Sequence, residues 1–99
     1  MNADAYEDAR VHIWVKGRVQ AVGFRAHVEY KSVQLGVRGW VRNVGEDTVE
    51  AVGEGVRARL DQFVEMIKQG PRGAQVDEAR VEWEASTGEY TGFGVRRSI

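Results

Sequence analysis

Residues 17–25, which read GRVQAVGFR, are the residues of this sequence best suited to chemistry. They follow an alternating apolar and polar stretch over 10–16, which predicts a half-buried strand, and they lead into a helical stretch over 22–35. A loop that enters a helix in this way can turn several free backbone N–H groups toward one point, where the helix dipole adds positive potential. Arg25, near the helix start, adds a permanently charged fork that can hold two phosphate oxygens. The segment therefore predicts a phosphate site.

On chemistry alone, a strand, a glycine turn and a helix could equally be an ordinary connection that binds nothing. The string itself is more specific. GRVQAVGFR resembles the acylphosphatase signature G-x-V-Q-G-V-x-F-R at every fixed position except Ala21, where that family has glycine. Residues 39–43, GWVRN, resemble the family's second motif, G-W-V-x-N, at the expected distance. The resemblance runs from about Val11 to the C-terminus and covers nearly the whole chain.

The resemblance implies an enzyme, an acylphosphatase, that cleaves the carboxyl-phosphate bond of small acyl phosphates to carboxylate and inorganic phosphate, with inorganic phosphate also an inhibitor. It assigns phosphate binding to Arg25 and water orientation to Asn43, whose amide can accept a hydrogen bond and donate another. It implies no metal and no other cofactor. The phosphate-binding loop would comprise Gly17, Val19, Gln20, Ala21, Val22, Gly23, Phe24 and Arg25. We expect the side chains of Arg18 and Gln20 to be solvated or to brace the loop.

An acyl phosphate makes modest demands on an enzyme. Its leaving group is a carboxylate with a pKa near about 4, which departs without being protonated. The remaining tasks are to hold the phosphate, to neutralise its equatorial oxygens and to aim a water in line with the leaving group. The backbone N–H groups of residues 19–25 and the Arg25 guanidinium suit the first two tasks, and the resemblance gives Asn43 the third. No side-chain base is evident, so we expect the proton to pass to the substrate's own phosphate.

The composition is that of an ordinary globular protein. The chain has 99 residues, 42% hydrophobic and 29% charged, enough for one domain with a single two-layer core. No apolar run approaches a membrane span, and residues 1–10 lack the basic start and apolar stretch of a signal peptide, so we expect a cytoplasmic monomer without a membrane partner. Because there is no cysteine, disulfides, thiolate metal sites and a cysteinyl phosphate intermediate are excluded.

The net charge of −1 hides an uneven distribution. Residues 9–45 contain seven Lys or Arg against one acid, Glu29, whereas residues 46–99 contain seven against eleven. The part that holds both motifs is electropositive, which suits a small anionic substrate, although any one of its basic residues could equally serve a solvated face. Nucleic-acid binding would need a larger excess and aromatic stacking positions in the central strands. Trp40 is one candidate, but the aromatic RNA-binding octamer is absent, so we expect no nucleic-acid partner.

The elements around the motifs predict a ferredoxin-like α+β sandwich in one acylphosphatase-like domain over 9–99, preceded by a flexible tail over 1–8. We expect strands over 10–16, 37–43, 48–53, 76–85 and 93–98 and helices over 22–35 and 56–69. This order is βαββαβ with a short extra C-terminal strand. Two helices cannot cover both faces of so small a sheet, so they should pack on one face of a mainly antiparallel sheet with the first and third strands in its centre. The loop and Asn43 can then meet at one end of the sheet.

Other functions stay open on the sequence. A non-catalytic module of the same fold could bind phosphate or carbamoyl phosphate, as in acylphosphatase-like domains of larger carbamoyl-transfer maturation proteins; the presence of both Arg25 and Asn43 favours the enzyme. Residues 53–58, GEGVRA, match a dinucleotide-binding pattern, but too few residues follow for the rest of such a sheet. His12 and His27 lie on different predicted elements and form no pair with metal-ligand spacing.

Overall fold

The chain follows the predicted order of strands and helices, and the computed structural model describes residues 3–99. A short 3-10 helix over Ala3–Tyr6 precedes β1 (Asp8–Arg18), α1 (Phe24–Leu35), β2 (Arg38–Val44), β3 (Thr48–Val56), α2 (Arg57–Gln69), β4 (Gln75–Glu84) and β5 (Phe93–Val95). Within these residues no helix has the length and apolar character needed to cross a membrane.

The five strands form one mixed sheet in the order β4-β1-β3-β2-β5. β1 pairs antiparallel with β3 and β4, and β2 pairs antiparallel with β3, whereas β2 and β5 run parallel. The first and third strands therefore occupy the centre, as right-handed crossovers require. Both helices pack on one face of this sheet, so the predicted ferredoxin-like sandwich is confirmed.

One hydrophobic core lies between the sheet and the helices. The alternation predicted for β1 is present: Val11, Ile13 and Val15 are fully buried, and the residues between them face the other side of the sheet. α2 contributes Leu60 and Phe63 to the same core. Full burial of such a side chain contributes about 1.5–3 kcal/mol. The packed core holds the end of β1, where the predicted phosphate loop begins, in a fixed position.

α1 is less clearly amphipathic than α2, as its sequence pattern indicates. It buries Phe24 and Val28, whereas Tyr30 and Val33 are each 64% exposed. The predicted start at residue 22 is wrong, because Gly23 has a left-handed φ of 77° and caps a helix that begins at Phe24. The loop is consequently longer, and more of its N–H groups are free of helical hydrogen bonds.

Other predicted boundaries also differ. β1 and β3 are longer than predicted, and β5 ends at Val95 instead of at residue 98. Residues 96–99 nevertheless stay beside β2, since the Ile99 N–H donates to the main-chain oxygen of Asn43 over 3.0 Å. The flexible tail expected over 1–8 stays a prediction: residues 1–2 lie outside the described residues, and β1 already begins at Asp8.

Candidate active site

The loop between β1 and α1 has a distinctive backbone. Ala21 and Gly23 both lie in the left-handed region, with φ of 59° and 77°. Left-handed residues in such a loop turn neighbouring N–H groups inward and can form a concavity suited to an anion. Gly23 is the N-cap of α1 and offers no side-chain cap, and the first turn of the helix contains no acid. Its first N–H groups therefore have no intrahelical partner and are available to a ligand.

Gly17 shapes the path into this loop. Its N–H donates to the main-chain oxygen of Asp47 over 3.0 Å. Its φ is +145°, and a Cβ at this position would collide with the main-chain oxygen of Gln75. The register between β1 and β4 shifts between Lys16 and Gly17, which leaves Asp77 of β4 without a partner on β1. Only glycine suits this position, although Gly17 lies outside the pocket described next.

An open pocket of about 320 Å³ lies between the loop, the start of α1, the end of β2 and β5. It brings the predicted Asn43 and Arg25 together with Val19, Ala21, Gly23 and Phe24 of the predicted loop. Ala26, Glu29 and Val95 complete its lining. The predicted loop members Gly17, Gln20 and Val22 are not among the residues that line it.

Arg25 is the cation of this pocket. It lies in the first turn of α1 and is half-buried. Its guanidinium donates to Ser98 Oγ over 3.4 Å and pairs with no carboxylate of residues 3–99. The guanidinium therefore has no ion-pair partner at the pocket, where a planar fork can address two oxygens of a tetrahedral anion.

Asn43 presents an amide oxygen that the protein does not use. It lies near the end of β2, is 9% exposed and is held in place through the Ile99 N–H. Its Oδ1 is buried and accepts no hydrogen bond from the described part of the chain. A buried acceptor without a donor costs about 1–3 kcal/mol. A bound group that donates to Oδ1 would recover that cost.

The side chain of Gln20 braces the loop, which is one of the two roles expected for it, and is not merely solvated. Its amide nitrogen lies 3.3 Å from the main-chain oxygen of Val44 and 3.0 Å from those of Gly45 and Thr48. These oxygens belong to the end of β2, the turn and the start of β3. The loop is thereby fixed relative to Asn43, which immediately precedes the braced turn.

Several residues at the pocket were not among the predicted ones. Glu29 lies one helical turn after Arg25, an i, i+4 spacing that could have indicated it. Ala26 lies on the same turn and is exposed. Val95 and Ser98 reach the pocket because β5 pairs with β2, so their position depends on the sheet topology and no local sequence signal indicates it.

The two histidines lie away from the pocket. His12 Nε2 is 2.6 Å from a carboxylate oxygen of Glu50, whose other oxygen accepts from Arg42 Nε over 2.7 Å. Burial alone would raise the pKa of Glu50, but the hydrogen bonds from Arg42 and His12 outweigh it and hold the pKa below its ordinary value. The pKa of His27 is lowered by burial and by the charge of Lys31. Neither imidazole lines the pocket that contains Arg25, so neither is placed to act as a base there.

A larger groove, of about 440 Å³, separates α1 from α2. It is lined by His27, Lys31, Gln34, Leu35, Gln62, Met66, Gln69 and Gly70, none of which was predicted for the site.

Trp40, the candidate stacking residue, has a packing role instead. It is 7% exposed, and its Nε1 donates to the Tyr90 hydroxyl over 3.1 Å. Nowhere in residues 3–99 do three or more His, Cys, Asp or Glu side chains come together as a metal site.

An α+β sandwich whose pocket joins a left-handed loop, an uncapped helix start and an unpaired arginine has the features of a small anion-binding domain. A family model described as Acylphosphatase matches residues 11–95. Because the match extends over most of the chain, the chain belongs to the acylphosphatase family, as its two motifs predicted.

Individual relatives agree with this assignment. An acylphosphatase of Pyrobaculum islandicum is 46% identical over 94 residues, which cover 94% of this chain and 99% of the relative. The crystal structure of acylphosphatase from Bacillus subtilis superposes with a TM-score of 0.85 at 33% identity and covers 89% of this chain and 98% of that chain. Full-length HypF, in a phosphate- and nucleotide-bound form, gives a TM-score of 0.82 at 26% identity and covers 93% of this chain but 12% of that chain. The predicted enzyme class, an acylphosphatase, and the predicted fold are thereby confirmed.

Proposed function

We propose that this chain hydrolyses small acyl phosphates to the free carboxylate and inorganic phosphate by in-line attack of water on phosphorus. In this proposal, Arg25 and the N–H groups of residues 19–25 hold the phosphate, and Asn43 positions the water. One observation carries the proposal: an arginine without a carboxylate partner and a buried amide oxygen without a donor line the same 320 Å³ pocket.

The phosphate would be bound by charge and by backbone donors together. The unpaired Arg25 guanidinium supplies a fork of N–H donors, and the left-handed loop and the uncapped start of α1 supply further N–H groups. These donors also stabilise the charge that the equatorial oxygens carry in the transition state. Each anchor of this type contributes on the order of 3 kcal/mol, or about 100-fold in rate.

The water would donate one O–H to Asn43 Oδ1, which the protein leaves without a donor. Its oxygen then forms the new bond to phosphorus while the bond from phosphorus to the acyl oxygen breaks and the carboxylate keeps the electron pair. The carboxylate has a pKa near about 4 and needs no acid. The second proton of the water passes to a phosphate oxygen, since within residues 3–99 no histidine or carboxylate is hydrogen-bonded to Asn43 or Arg25.

A second function has a specific observation in its favour, the likeness to one small part of HypF. In that function the pocket would bind phosphate or carbamoyl phosphate without turnover. Two facts favour the enzyme: the chain matches nearly the full length of the Pyrobaculum islandicum acylphosphatase, and Asn43 and Arg25 share the pocket.

A continuous assay with benzoyl phosphate in the presence of a chelator separates the two functions. The proposal predicts hydrolysis well above the spontaneous rate, unaffected by the chelator. Binding of inorganic phosphate without hydrolysis of benzoyl phosphate would support the binding module instead. Activity that is lost with the chelator and restored by a divalent cation would contradict the metal-free mechanism.

A further inference from the structure

Three residues of the pocket have no part in the binding of phosphate and water proposed above. They are Ala26 and Glu29 on α1 and Val95 on β5. Ala26 is exposed, and Val95 is 43% exposed. Because the rest of the lining is assigned to phosphate and water, these three residues form the surface left for the acyl group. Two of them are apolar, and the third carries the only negative charge of the lining.

Glu29 is an unusual residue to find at an anion site. It lies half-buried, one turn beyond Arg25 on the same helix, yet it makes no ion pair with Arg25 or with any other cation of residues 3–99. It is also the only acid within residues 9–45, a segment with seven basic residues. An acid without an ion pair keeps its charge at the pocket, where it acts on whatever occupies the remainder of that pocket.

We propose that Glu29 is a specificity-determining residue that disfavours acyl groups bearing a negative charge, so that the preferred substrates are acyl phosphates with neutral, partly apolar acyl groups. This inference rests on the proposed hydrolase function. Neutral acyl groups can contact Ala26 and Val95 without electrostatic cost, whereas a carboxylate on the acyl group would lie near the Glu29 carboxylate. For like charges about 6–8 Å apart in a partly solvated cleft, the repulsion corresponds to about 3- to 10-fold in kcat/KM.

The test compares benzoyl phosphate with 4-carboxybenzoyl phosphate, which differ by one carboxylate far from the reacting phosphorus. Each rate is expressed as variant over parent for the same substrate, so the intrinsic reactivities of the two compounds cancel. Glu29→Gln removes the charge and keeps the shape, and Glu29→Lys reverses the charge. Glu65→Gln is the matched control, since Glu65 is an exposed glutamate on α2 outside the pocket.

We expect Glu29→Gln to raise kcat/KM for 4-carboxybenzoyl phosphate about 3- to 10-fold more than it raises kcat/KM for benzoyl phosphate, because the repulsion of the phosphate itself is common to both substrates. Glu29→Lys should increase the preference for the anionic substrate further, and Glu65→Gln should alter neither rate. Circular dichroism confirms folding of each variant, and either folded Glu29 variant suffices for the comparison. A parent active on benzoyl phosphate, with both substrates affected equally by the Glu29 changes, would overturn the inference and leave the hydrolase standing. A parent that hydrolyses neither compound would overturn both.

Discussion

The side-chain amide of Gln20 donates to the main-chain oxygen of Gly45 over 3.0 Å and so joins the loop after β1 to the turn after β2. The same amide nitrogen also reaches the main-chain oxygens of Val44 and Thr48. Through this brace the backbone donors of the loop and the amide of Asn43 keep a fixed spacing. A site that must align a phosphate and a water in one line depends on such a fixed spacing.

Replacing Arg25 should remove most of the activity without unfolding the protein. In Arg25→Gln, a neutral amide takes the place of the bidentate charge, and we expect kcat/KM for benzoyl phosphate to fall at least about 100-fold. Arg18→Gln is the matched control, because Arg18 is exposed and does not line the pocket. A folded Arg25→Gln with near-parental activity, or an equal loss in the control, would contradict the role given to Arg25.

Replacing Asn43 should separate binding from turnover. Asn43→Ala removes the proposed water acceptor and leaves Arg25 and the loop N–H groups in place, so kcat should fall about 100-fold while the inhibition constant of inorganic phosphate stays within a few-fold. The measurement is kcat beside competitive inhibition by phosphate, in this variant and in Arg25→Gln. If phosphate binding collapses equally in both variants, Asn43 does not act mainly on the water.

Ala21 is the one departure from the family signature, and it lies at φ 59°. In the left-handed region, alanine is less stable than glycine by about 1 kcal/mol. Ala21→Gly should therefore raise the free energy of unfolding by about 1 kcal/mol, which is about 4–8 °C in Tm for a domain of this size. Ala26→Gly, the same change at a helical position of α1, should lower stability instead. The measurements are thermal melts and kcat/KM for the parent and for Ala21→Gly. If Ala21→Gly is less stable than the parent and has no higher kcat/KM, the alanine is not strained. If the parent is inactive and Ala21→Gly is active, Ala21 disables the site.

Glu54 should make stability depend on pH. It is fully buried and accepts hydrogen bonds from the backbone N–H groups of Thr87 and Gly88, each over 2.9 Å, and from the hydroxyls of Thr87 and Ser86. Burial alone would raise the pKa of Glu54, but these hydrogen bonds outweigh it and lower the pKa to about 2. Because the folded pKa lies below the unfolded one, the stabilisation is present above about pH 4.5 and is lost as the pH falls through about 2.

The measurement is urea unfolding of the parent and of Glu54→Gln at pH 7 and near pH 2. We expect the variant to be less stable at pH 7 by up to about 3 kcal/mol and the difference to shrink near pH 2. Glu78→Gln is the control, since that carboxylate is exposed on β4 and makes no ion pair within residues 3–99. A deficit in Glu54→Gln that is the same at both pH values would show that the carboxylate charge is not the cause.

Much of the architecture could be predicted because it depends on local pattern. The buried side of β1 follows from the alternation of Val11, Ile13 and Val15, and that of α2 follows from its apolar face. These buried sides pack against each other, which places the helix on one face of the sheet. The loop and Asn43 could be placed at one end of the sheet for the same reason. The helix start at Phe24 could not, because the left-handed backbone of Ala21 and Gly23 depends on the whole loop.

The rest of the pocket depends on contacts between residues distant in sequence. Val95 and Ser98 reach the site only because β5 adds to the edge of β2, and nothing in their local sequence indicates that contact. The brace formed by Gln20 is similar, since its partners lie more than twenty residues later in the chain. For such residues, the register of the sheet determines the partner and local propensity does not.

The most direct test of the central claim is the fate of the water oxygen. Benzoyl phosphate is hydrolysed by the parent in water enriched in oxygen-18, and both products are analysed by mass spectrometry after a time in which spontaneous hydrolysis is negligible. Attack on phosphorus by a water held at Asn43 predicts one labelled oxygen in inorganic phosphate and none in benzoate. Label in benzoate would show attack at the carbonyl carbon and would contradict the mechanism.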